Sequence, residues 1–284
     1  MHTFVKAKGA DLFCSIMGKG DPLIVVHGGA GFITHEYLLP HMERLAQNNQ
    51  LIFYDQRALG KSTGEITPEE ITLSTYLQDI EAIRTSLGLE KISLLGHSWG
   101  AFLAFHYACV YPEAVDKLVL LSPMPGKSDD LPLFFSELAK RLTPYQEELQ
   151  KIEASELYRA GDPELVKKWL TIVYQIYMHS PDNVHKLNLW KSQQEALRGF
   201  KVWDIFKEAI FMNPYDVTDS LRALRCPTMI IHGDVDPIPL ASVEYLHTVI
   251  PSSTLVKIEQ SGHFPFVEQP DACFKAIEGF LRIL

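Results

Sequence analysis

Cysteine is scarce in this 284-residue sequence, which has only four, at Cys14, Cys109, Cys226 and Cys273. They lie far apart and form no C-x-x-C pair, a spacing that predicts neither a zinc site nor a disulfide framework. Long apolar runs are also lacking, both at the N-terminus and within the chain, so we expect neither a secretory signal nor a transmembrane helix. These absences lead us to expect a cytoplasmic protein.

Positive charge is the second scarce property. The sequence has 26 lysines and arginines against 35 aspartates and glutamates, which gives a net charge of −9. Nucleic acids and anionic membranes bind basic surfaces, so we expect neither as a partner. Apolar residues make up 46% of the sequence, which suits one large globular domain or a domain that carries an insertion. We expect no metal and no organic cofactor, and the sequence leaves the oligomeric state open.

Short apolar runs alternate with helical patterns in the first and last parts of the chain. The predicted strands are 3–7, 11–16, 23–26, 51–54, 91–95, 117–121, 228–232 and 254–258. The predicted helices are 35–47, 72–87, 99–111, 240–249 and 271–283. Most of these strands are continuously apolar and alternate with helices, which indicates an α/β fold with a mostly parallel eight-stranded sheet and helices on both of its faces.

The alternation stops between residues 125 and 218, where we find helical patterns and no convincing strand. Asp162-Pro163-Glu164 is typical of a helix start, with a capping side chain, a proline at the first position and an acid in the first turn. We therefore predict a core domain formed by residues 1–124 and 219–284, with residues 125–218 inserted as a helical cap.

Residues 96–100 read G-H-S-W-G and fit the pattern G-x-S-x-G. The pattern alone arises by chance in roughly one chain of this length in ten. Here it lies between a predicted strand and a predicted helix, and the sharp turn between them would lift the Ser98 hydroxyl above the sheet. Gly96 and Gly100 fit because a Cβ at either position would collide with the neighbouring strand or helix. We predict Ser98 as a nucleophile; an ordinary helix-capping serine is the alternative.

A serine hydroxyl needs a base, and a histidine oriented by a carboxylate is the usual one. His263 is the best candidate among eleven histidines, because it follows the last predicted strand and so lies at the same sheet edge as Ser98. His27, His97 and His232 are each expected to have structural roles.

Two aspartates, Asp234 and Asp236, follow the predicted strand 228–232 and are candidates for the acid that orients this histidine. Asp236 is favoured because its position in the turn directs its side chain toward the histidine loop. Asp234 is expected to cap or solvate the turn.

Attack by serine leaves negative charge on the carbonyl oxygen, which needs hydrogen-bond donors already in position. The backbone N–H of Trp99, directly after the nucleophile, is one predicted donor. The other is expected from residues 27–31, H-G-G-A-G, and we predict Gly29 because backbone can approach a ligand most closely there. No phosphate-binding motif follows this loop, so a phosphate cradle is disfavoured.

Taken together, these motifs resemble those of a known family. Residues 27–31, residues 55–62 (D-Q-R-A-L-G-K-S) and residues 96–100, followed by Asp236 and His263, resemble the prolyl aminopeptidase (proline iminopeptidase) branch of the α/β-hydrolases. The resemblance covers nearly the whole chain. It implies an α/β-hydrolase fold with a helical cap, and release of an N-terminal residue, often proline, from short peptides through an acyl-enzyme on serine.

The sequence also departs from the pattern of that branch. Ala30 stands where the family has proline, and Ala58 where it has glycine. Some members bind the α-amino group of the substrate with glutamates, one of them directly after the catalytic aspartate, where this chain has Pro237. Two acids of the predicted cap, Glu195 and Glu208, are candidates for binding a substrate amine; a solvated helix face is the alternative for both.

Three functions therefore remain open. The first is an aminopeptidase-like serine hydrolase that acts on short peptides. The second is a carboxylesterase or lactonase that acts on a small-molecule substrate with an apolar acyl group. The third is a non-catalytic ligand-binding protein of the same fold, which the complete set of Ser98, Asp236 and His263 disfavours. Lyase or cofactor-free oxygenase chemistry is a minor alternative.

Overall fold

The computed structural model describes residues 1–282 and contains one eight-stranded sheet in the order β1-β2-β4-β3-β5-β6-β7-β8. The strands are β1 (His2–Ala7), β2 (Ala10–Met17), β3 (Asp21–Val26), β4 (Asn49–Tyr54), β5 (Ile92–His97), β6 (Val115–Leu121), β7 (Thr228–Gly233) and β8 (Ser253–Ile258). Strand β2 pairs antiparallel with β1 and β4, and the other pairs are parallel. The predicted mostly parallel α/β sheet is confirmed.

Both faces of the sheet are covered, as strand β3 illustrates. Its four last residues are fully buried, and they alternate between the two hydrophobic clusters of the protein. Leu23 and Val25 belong to one cluster, and Ile24 and Val26 to the other. This alternation follows from the period of two along a strand, and it explains why the strand reads as one apolar run.

The helices are α1 (Leu39–Met42), α2 (Leu73–Ser86), α3 (Trp99–Val110), α4 (Leu131–Leu142), α5 (Gln146–Ala154), α6 (Glu156–Arg159), α7 (Pro163–Gln175), α8 (Gln193–Phe206), α9 (Thr218–Arg222), α10 (Leu240–Val249), α11 (Pro265–Glu268) and α12 (Pro270–Leu281). Short 3₁₀ segments connect several of them, and a π-helical segment, Lys207–Phe211, extends α8. None of the helices within residues 1–282 has the length and apolar character needed to cross a bilayer.

The single helix predicted over residues 35–47 is wrong. The chain instead forms a 3₁₀ turn at His35–Tyr37, the one-turn helix α1, and a second 3₁₀ segment at Glu43–Gln47. Pro40 explains the interruption, because it has no N–H to donate and its ring clashes with the carbonyl four residues earlier. Residue 283 of the predicted last helix lies outside the described residues.

Between β6 and β7 the described chain forms helices α4 to α9. An antiparallel bridge between Lys127 and Asp216 joins the points where this segment leaves the sheet and returns to it. Asp162 caps α7 by accepting from the N–H of Leu165 at 3.0 Å, as its Asp-Pro-Glu sequence predicts. We keep the name cap for residues 125–218, and its division from the core stays a prediction.

Candidate active site

Ser98 occupies the turn between β5 and α3 with φ 56° and ψ −117°. This left-handed conformation is costly for any residue except glycine, so the surrounding structure must hold it. The Ser98 N–H donates to the carbonyl of Leu121 at 2.9 Å, and the Ser98 carbonyl accepts from Ala101 and Phe102. The backbone is thereby held at both ends, and the side chain borders a cavity above the sheet.

The two glycines of the motif allow this turn to pack closely. A Cβ on Gly96 would overlap the backbone of Gly100 and Ala101, and a Cβ on Gly100 would overlap the carbonyl oxygens of Val26 and His27. The obstacle is rigid backbone in both cases. Glycine is therefore required at both positions for α3 to begin this close to β3 and β5.

His263 borders the same cavity, and its Nδ1–H donates to Asp236, at 2.9 Å from Oδ2 and 3.1 Å from Oδ1. Nε2 is then the unprotonated nitrogen of the ring and can accept a proton. Burial by itself raises the pKa of Asp236, but the His263 and His232 rings and hydrogen bonds from His263 and Ile238 lower it to about 2. The carboxylate is therefore ionised at neutral pH. Within the described residues no hydrogen bond joins His263 to the Ser98 hydroxyl.

His27 and His232 are buried and have structural partners. Nδ1–H of His27 donates to the carbonyl of Gly28 at 2.8 Å, and Nε2 accepts from the N–H of Gln56 at 3.1 Å. Burial lowers the pKa of His27 to about 4, so the ring is neutral, as this pair of bonds requires. His232 donates to the carbonyl of Ile238 at 3.0 Å. Asp234 is exposed and accepts from the N–H of Ser261 at 3.0 Å, which is the turn-capping position expected for it.

His97 belongs to a buried chain of hydrogen bonds that links three loops of the site. The N–H of Gly28 donates to the Tyr37 hydroxyl at 3.0 Å, the Tyr37 hydroxyl donates to Nδ1 of His97 at 2.6 Å, and Nε2–H of His97 donates to the His263 carbonyl at 2.8 Å. Burial, with the neighbouring His263 ring, lowers the pKa of His97 to about 3 and keeps it neutral. Tyr37 was not identified from the sequence, because its partners are far away along the chain.

The loop of residues 27–31, which we call the oxyanion loop after its predicted role, lies beside Ser98. The N–H of Gly28 donates to the Tyr37 hydroxyl. The N–H groups of Gly29 and Trp99 have no acceptor among the described residues. Gly29 has a φ of 82°, and Phe32 donates to its carbonyl at 2.7 Å. The two predicted donors thus border the cavity with their N–H groups unused.

The two departures from the family pattern both lie at positions with a positive φ. Ala30 has a φ of 31°, a value that the ring of proline prohibits. Ala58 has a φ of 62°, in the left-handed region that glycine adopts without cost. In this chain the oxyanion loop therefore follows a path that the usual proline could not take, and the Ala58 turn keeps a glycine-like conformation without glycine.

The cap helix α8 lies directly against the oxyanion loop. A Cβ on Gly199 would overlap the carbonyl of Gly31, and a Cβ on Gly31 would stand 2.9 Å from the carbonyl of Gly199. The adjacent Arg198 donates to the carbonyls of Gly60 at 2.6 Å and of Ser62 at 3.3 Å. Helix α8 is therefore fixed to the core on this side of the site.

The cavity above Ser98 has a volume of about 270 Å³, and residues of the cap form part of its wall. Aromatic side chains from the core and the cap form most of its wall, among them Phe32, Phe134, Phe135, Trp169, Trp203 and Phe211. Among the described residues that line it there is no aspartate, glutamate, lysine or arginine. Such a wall favours an uncharged, apolar ligand, because moving that ligand from water into the cavity costs little free energy.

The two cap acids predicted as candidates for binding an amine lie elsewhere. Glu195 forms a capping box at the start of α8, where its carboxylate accepts from the N–H and the hydroxyl of Ser192 at 2.9 and 2.6 Å. Glu208 is exposed in the π-helical segment. The structure brings neither carboxylate into the described cavity wall, because helix capping and solvation already account for them.

The sequence is similar to curated proteins across nearly its whole length. It is 27% identical over 277 residues to a proline iminopeptidase from Heyndrickxia coagulans, covering 93% of this chain and 92% of that protein. It is 29% identical over 293 residues to a proline iminopeptidase from Lactobacillus helveticus, covering 96% of this chain and 95% of that protein. These similarities confirm the resemblance that the motifs predict.

Solved structures share the fold at lower sequence identity. An esterase from Exiguobacterium antarcticum superposes with a TM-score of 0.72 at 21% identity and full coverage of both chains. A meta-cleavage product hydrolase from Pseudomonas fluorescens IP01 superposes with a TM-score of 0.74 at 21% identity, covering 98% of this chain and 97% of that one. Residues 21–270 match the family described as the alpha/beta hydrolase fold. The protein therefore belongs to the α/β-hydrolase family.

Proposed function

We propose that this hydrolase cleaves esters of small, uncharged apolar acids through an acyl-enzyme on Ser98. One observation carries the proposal: the cavity that contains Ser98 and His263 is lined by apolar and aromatic side chains, with no charged side chain among the described residues of its wall. A substrate with an apolar acyl group loses little solvation free energy when it enters this cavity, and its ester carbonyl would lie beside the nucleophile.

The hydrogen bond between His263 and Asp236 supports a mechanism in which His263 is the base. Nε2 of His263 takes the Ser98 proton as Oγ bonds to the carbonyl carbon, and the N–H groups of Gly29 and Trp99 hold the resulting oxyanion. Asp236 stabilises the imidazolium that forms. Collapse of the intermediate breaks the bond to the leaving alcohol, which takes the proton from His263. A water molecule then repeats the sequence on the acyl-enzyme and releases the acid.

An aminopeptidase acting on short peptides is the second candidate. The observation that favours it is the similarity to proline iminopeptidases over more than nine-tenths of the chain. A substrate with a free ammonium group is a poor fit to the cavity, because removing that charge from water without a carboxylate partner is costly. The same serine chemistry serves both candidates, so the acyl group distinguishes them.

A paired assay tests the choice. The full chain is given 4-nitrophenyl butyrate, proline 4-nitroanilide and N-acetylproline 4-nitroanilide. We expect the ester to have by far the highest kcat/KM, with both anilides slow. Rapid turnover of the free anilide together with loss of turnover on acetylation would overturn the ester proposal in favour of the aminopeptidase.

The role of the nucleophile is tested separately. Ser98→Ala is expected to abolish ester turnover and to prevent labelling by a fluorophosphonate, which in the unchanged protein should add its mass to the peptide that contains residue 98. Activity retained by Ser98→Ala would rule out the serine mechanism as a whole.

A further inference from the structure

A tyrosine hydroxyl from the cap lies beside the oxyanion loop. Tyr174 is in the last turn of α7, and its side chain is 8% exposed. Its hydroxyl oxygen is 3.0 Å from the point where a Cβ on Gly29 would stand. Tyr174 borders the same cavity as Ser98. The cap thus delivers one polar atom to the side of the cavity where the carbonyl oxygen of a substrate would lie.

This hydroxyl has no hydrogen-bond partner within the described part of the chain. Burying the tyrosine ring does not require this hydroxyl, because phenylalanine would fill the same space. The neighbouring ring of Phe264, with its centroid 6.0 Å from that of Tyr174, is fully apolar. A hydroxyl at this position is suited to form a hydrogen bond with an oxygen atom of a ligand in the cavity.

The Tyr174 hydroxyl is also held in its donor form. Burial, with the nearby Tyr177 and Tyr37 hydroxyls, raises its pKa well above the usual 10. It therefore keeps its proton throughout the working pH range of a hydrolase and can donate a hydrogen bond to a developing negative charge.

We propose that Tyr174 is a catalytic residue that donates a hydrogen bond to the substrate carbonyl oxygen as it becomes an oxyanion. It would be the third donor, after the N–H groups of Gly29 and Trp99. This inference rests on the proposed serine hydrolase function. Its consequence is that the oxyanion site is shared between core and cap, and that the site is complete only when α7 is seated over Ser98.

Tyr174→Phe tests the proposal, because it removes one oxygen atom and leaves the ring in place. Tyr158→Phe is the matched control: Tyr158 is also a cap residue and 9% exposed, but it packs against Trp169 and Phe200 and is outside the cavity wall. With 4-nitrophenyl butyrate, we expect Tyr174→Phe to lower kcat by roughly 10- to 100-fold. We expect its KM to stay within about twofold, because the bond strengthens only as charge develops.

A second readout separates this role from a purely structural one. Butylboronic acid forms a tetrahedral adduct with a serine nucleophile and places an oxygen in the oxyanion position. Its inhibition constant should rise in Tyr174→Phe by about the same factor as kcat falls, and should be unchanged in Tyr158→Phe. Urea unfolding of both variants shows whether they are folded; Tyr174→Leu, which also lacks the hydroxyl, replaces Tyr174→Phe if that variant is unfolded.

The outcomes are distinct. A kcat for Tyr174→Phe within about twofold of the unchanged protein, or a rise in KM alone, would overturn the role of Tyr174 while leaving the serine hydrolase intact. No ester turnover by the unchanged protein, or turnover that survives Ser98→Ala, would instead overturn the proposed function itself.

Discussion

The Tyr37 hydroxyl donates a 2.6 Å hydrogen bond to Nδ1 of His97, a residue 60 positions further along the chain. The same hydroxyl accepts from Gly28, and the other nitrogen of His97 donates to the carbonyl of His263. The loop of residues 27–31, the turn at Ser98 and the loop that carries His263 are thus held at fixed separations by two buried side chains. Fixed separation matters because the reacting groups must meet within a few tenths of an ångström.

Replacing Tyr37 with phenylalanine should therefore lower both stability and activity. The N–H of Gly28 and Nδ1 of His97 would each lose a buried partner, at a cost of about 1–3 kcal/mol in the free energy of unfolding. Tyr111→Phe is the control, since Tyr111 is half-buried and its ring packs at a tilt against that of Tyr107. Urea unfolding and kcat are the measurements, and equal stability of the two variants would contradict the importance of the hydrogen-bonded chain.

The carboxylate of Asp236 should be required for catalysis, and that of Asp234 should not. Asp236→Asn keeps the shape but allows the His263 ring to turn or to adopt the wrong tautomer, so we expect kcat to fall by roughly 10²- to 10⁴-fold. Asp234→Asn keeps an oxygen that can accept from Ser261, and its kcat should stay close to that of the unchanged protein. Similar kcat values for both variants would show that the acid is misassigned.

The low pKa of Asp236 restricts which groups can cause a loss of activity in mild acid. Because the pKa is lowered to about 2, the carboxylate stays ionised above that pH, and loss of activity between pH 4 and 7 cannot come from its protonation. A ¹³C NMR titration should therefore leave the Asp236 carboxyl resonance unchanged between pH 4 and 7, and a titration midpoint in that interval would contradict the lowered pKa.

A methyl group at Gly100 should prevent normal folding. The added Cβ would overlap the carbonyl oxygens of Val26 and His27, and backbone at the end of a central strand cannot move away. Gly279→Ala is the control, since Gly279 lies within α12 and a Cβ there meets no atom within 4 Å. We expect Gly279→Ala to raise the free energy of unfolding by about 0.5–1 kcal/mol, because alanine has a higher helix propensity than glycine. A stable, active Gly100→Ala protein would contradict the packing described for the nucleophile turn.

His106 should make the protein less stable in mild acid. Its Nδ1–H donates to the carbonyl of Phe102 at 2.8 Å, and burial lowers its pKa from 6.5 to about 4. Between these two values the unfolded chain binds a proton that the folded protein does not, so lowering the pH favours unfolding. Relative to His106→Phe, the unchanged protein should lose up to about 1.4 kcal/mol of unfolding free energy per pH unit in this interval. Urea unfolding at several pH values measures it, and a difference independent of pH would contradict the shifted pKa.

The residues predicted from local motifs lie at one edge of the sheet for a topological reason. Ser98 follows β5, Gly29 follows β3, Asp236 follows β7 and His263 follows β8. Parallel strands all end at the same edge of their sheet, so motifs that each follow a strand are brought together whatever their separation in sequence. The order of the strands and the residues in the turns that follow them were enough to predict this arrangement.

Contacts between distant segments could not be predicted in this way. Tyr37 and Tyr174 reach the site from outside any motif. Contacts within the core place the Tyr37 hydroxyl, and packing of the cap on the core places that of Tyr174. Glu195 satisfies a local rule, the capping box, that competes with the amine-binding role considered for it. Pro40 interrupts a helical pattern whose apolar spacing is otherwise regular.

The backbone contact between Gly199 and Gly31 has a consequence for how substrate enters. Outward movement of helix α8 would break this packing and the hydrogen bonds from Arg198 to the carbonyls of Gly60 and Ser62, so we expect this side of the cap to stay in place. Phe135 of α4 lines the cavity and is 40% exposed, which means that the cavity approaches the surface there. We therefore expect substrate to enter and product to leave past α4.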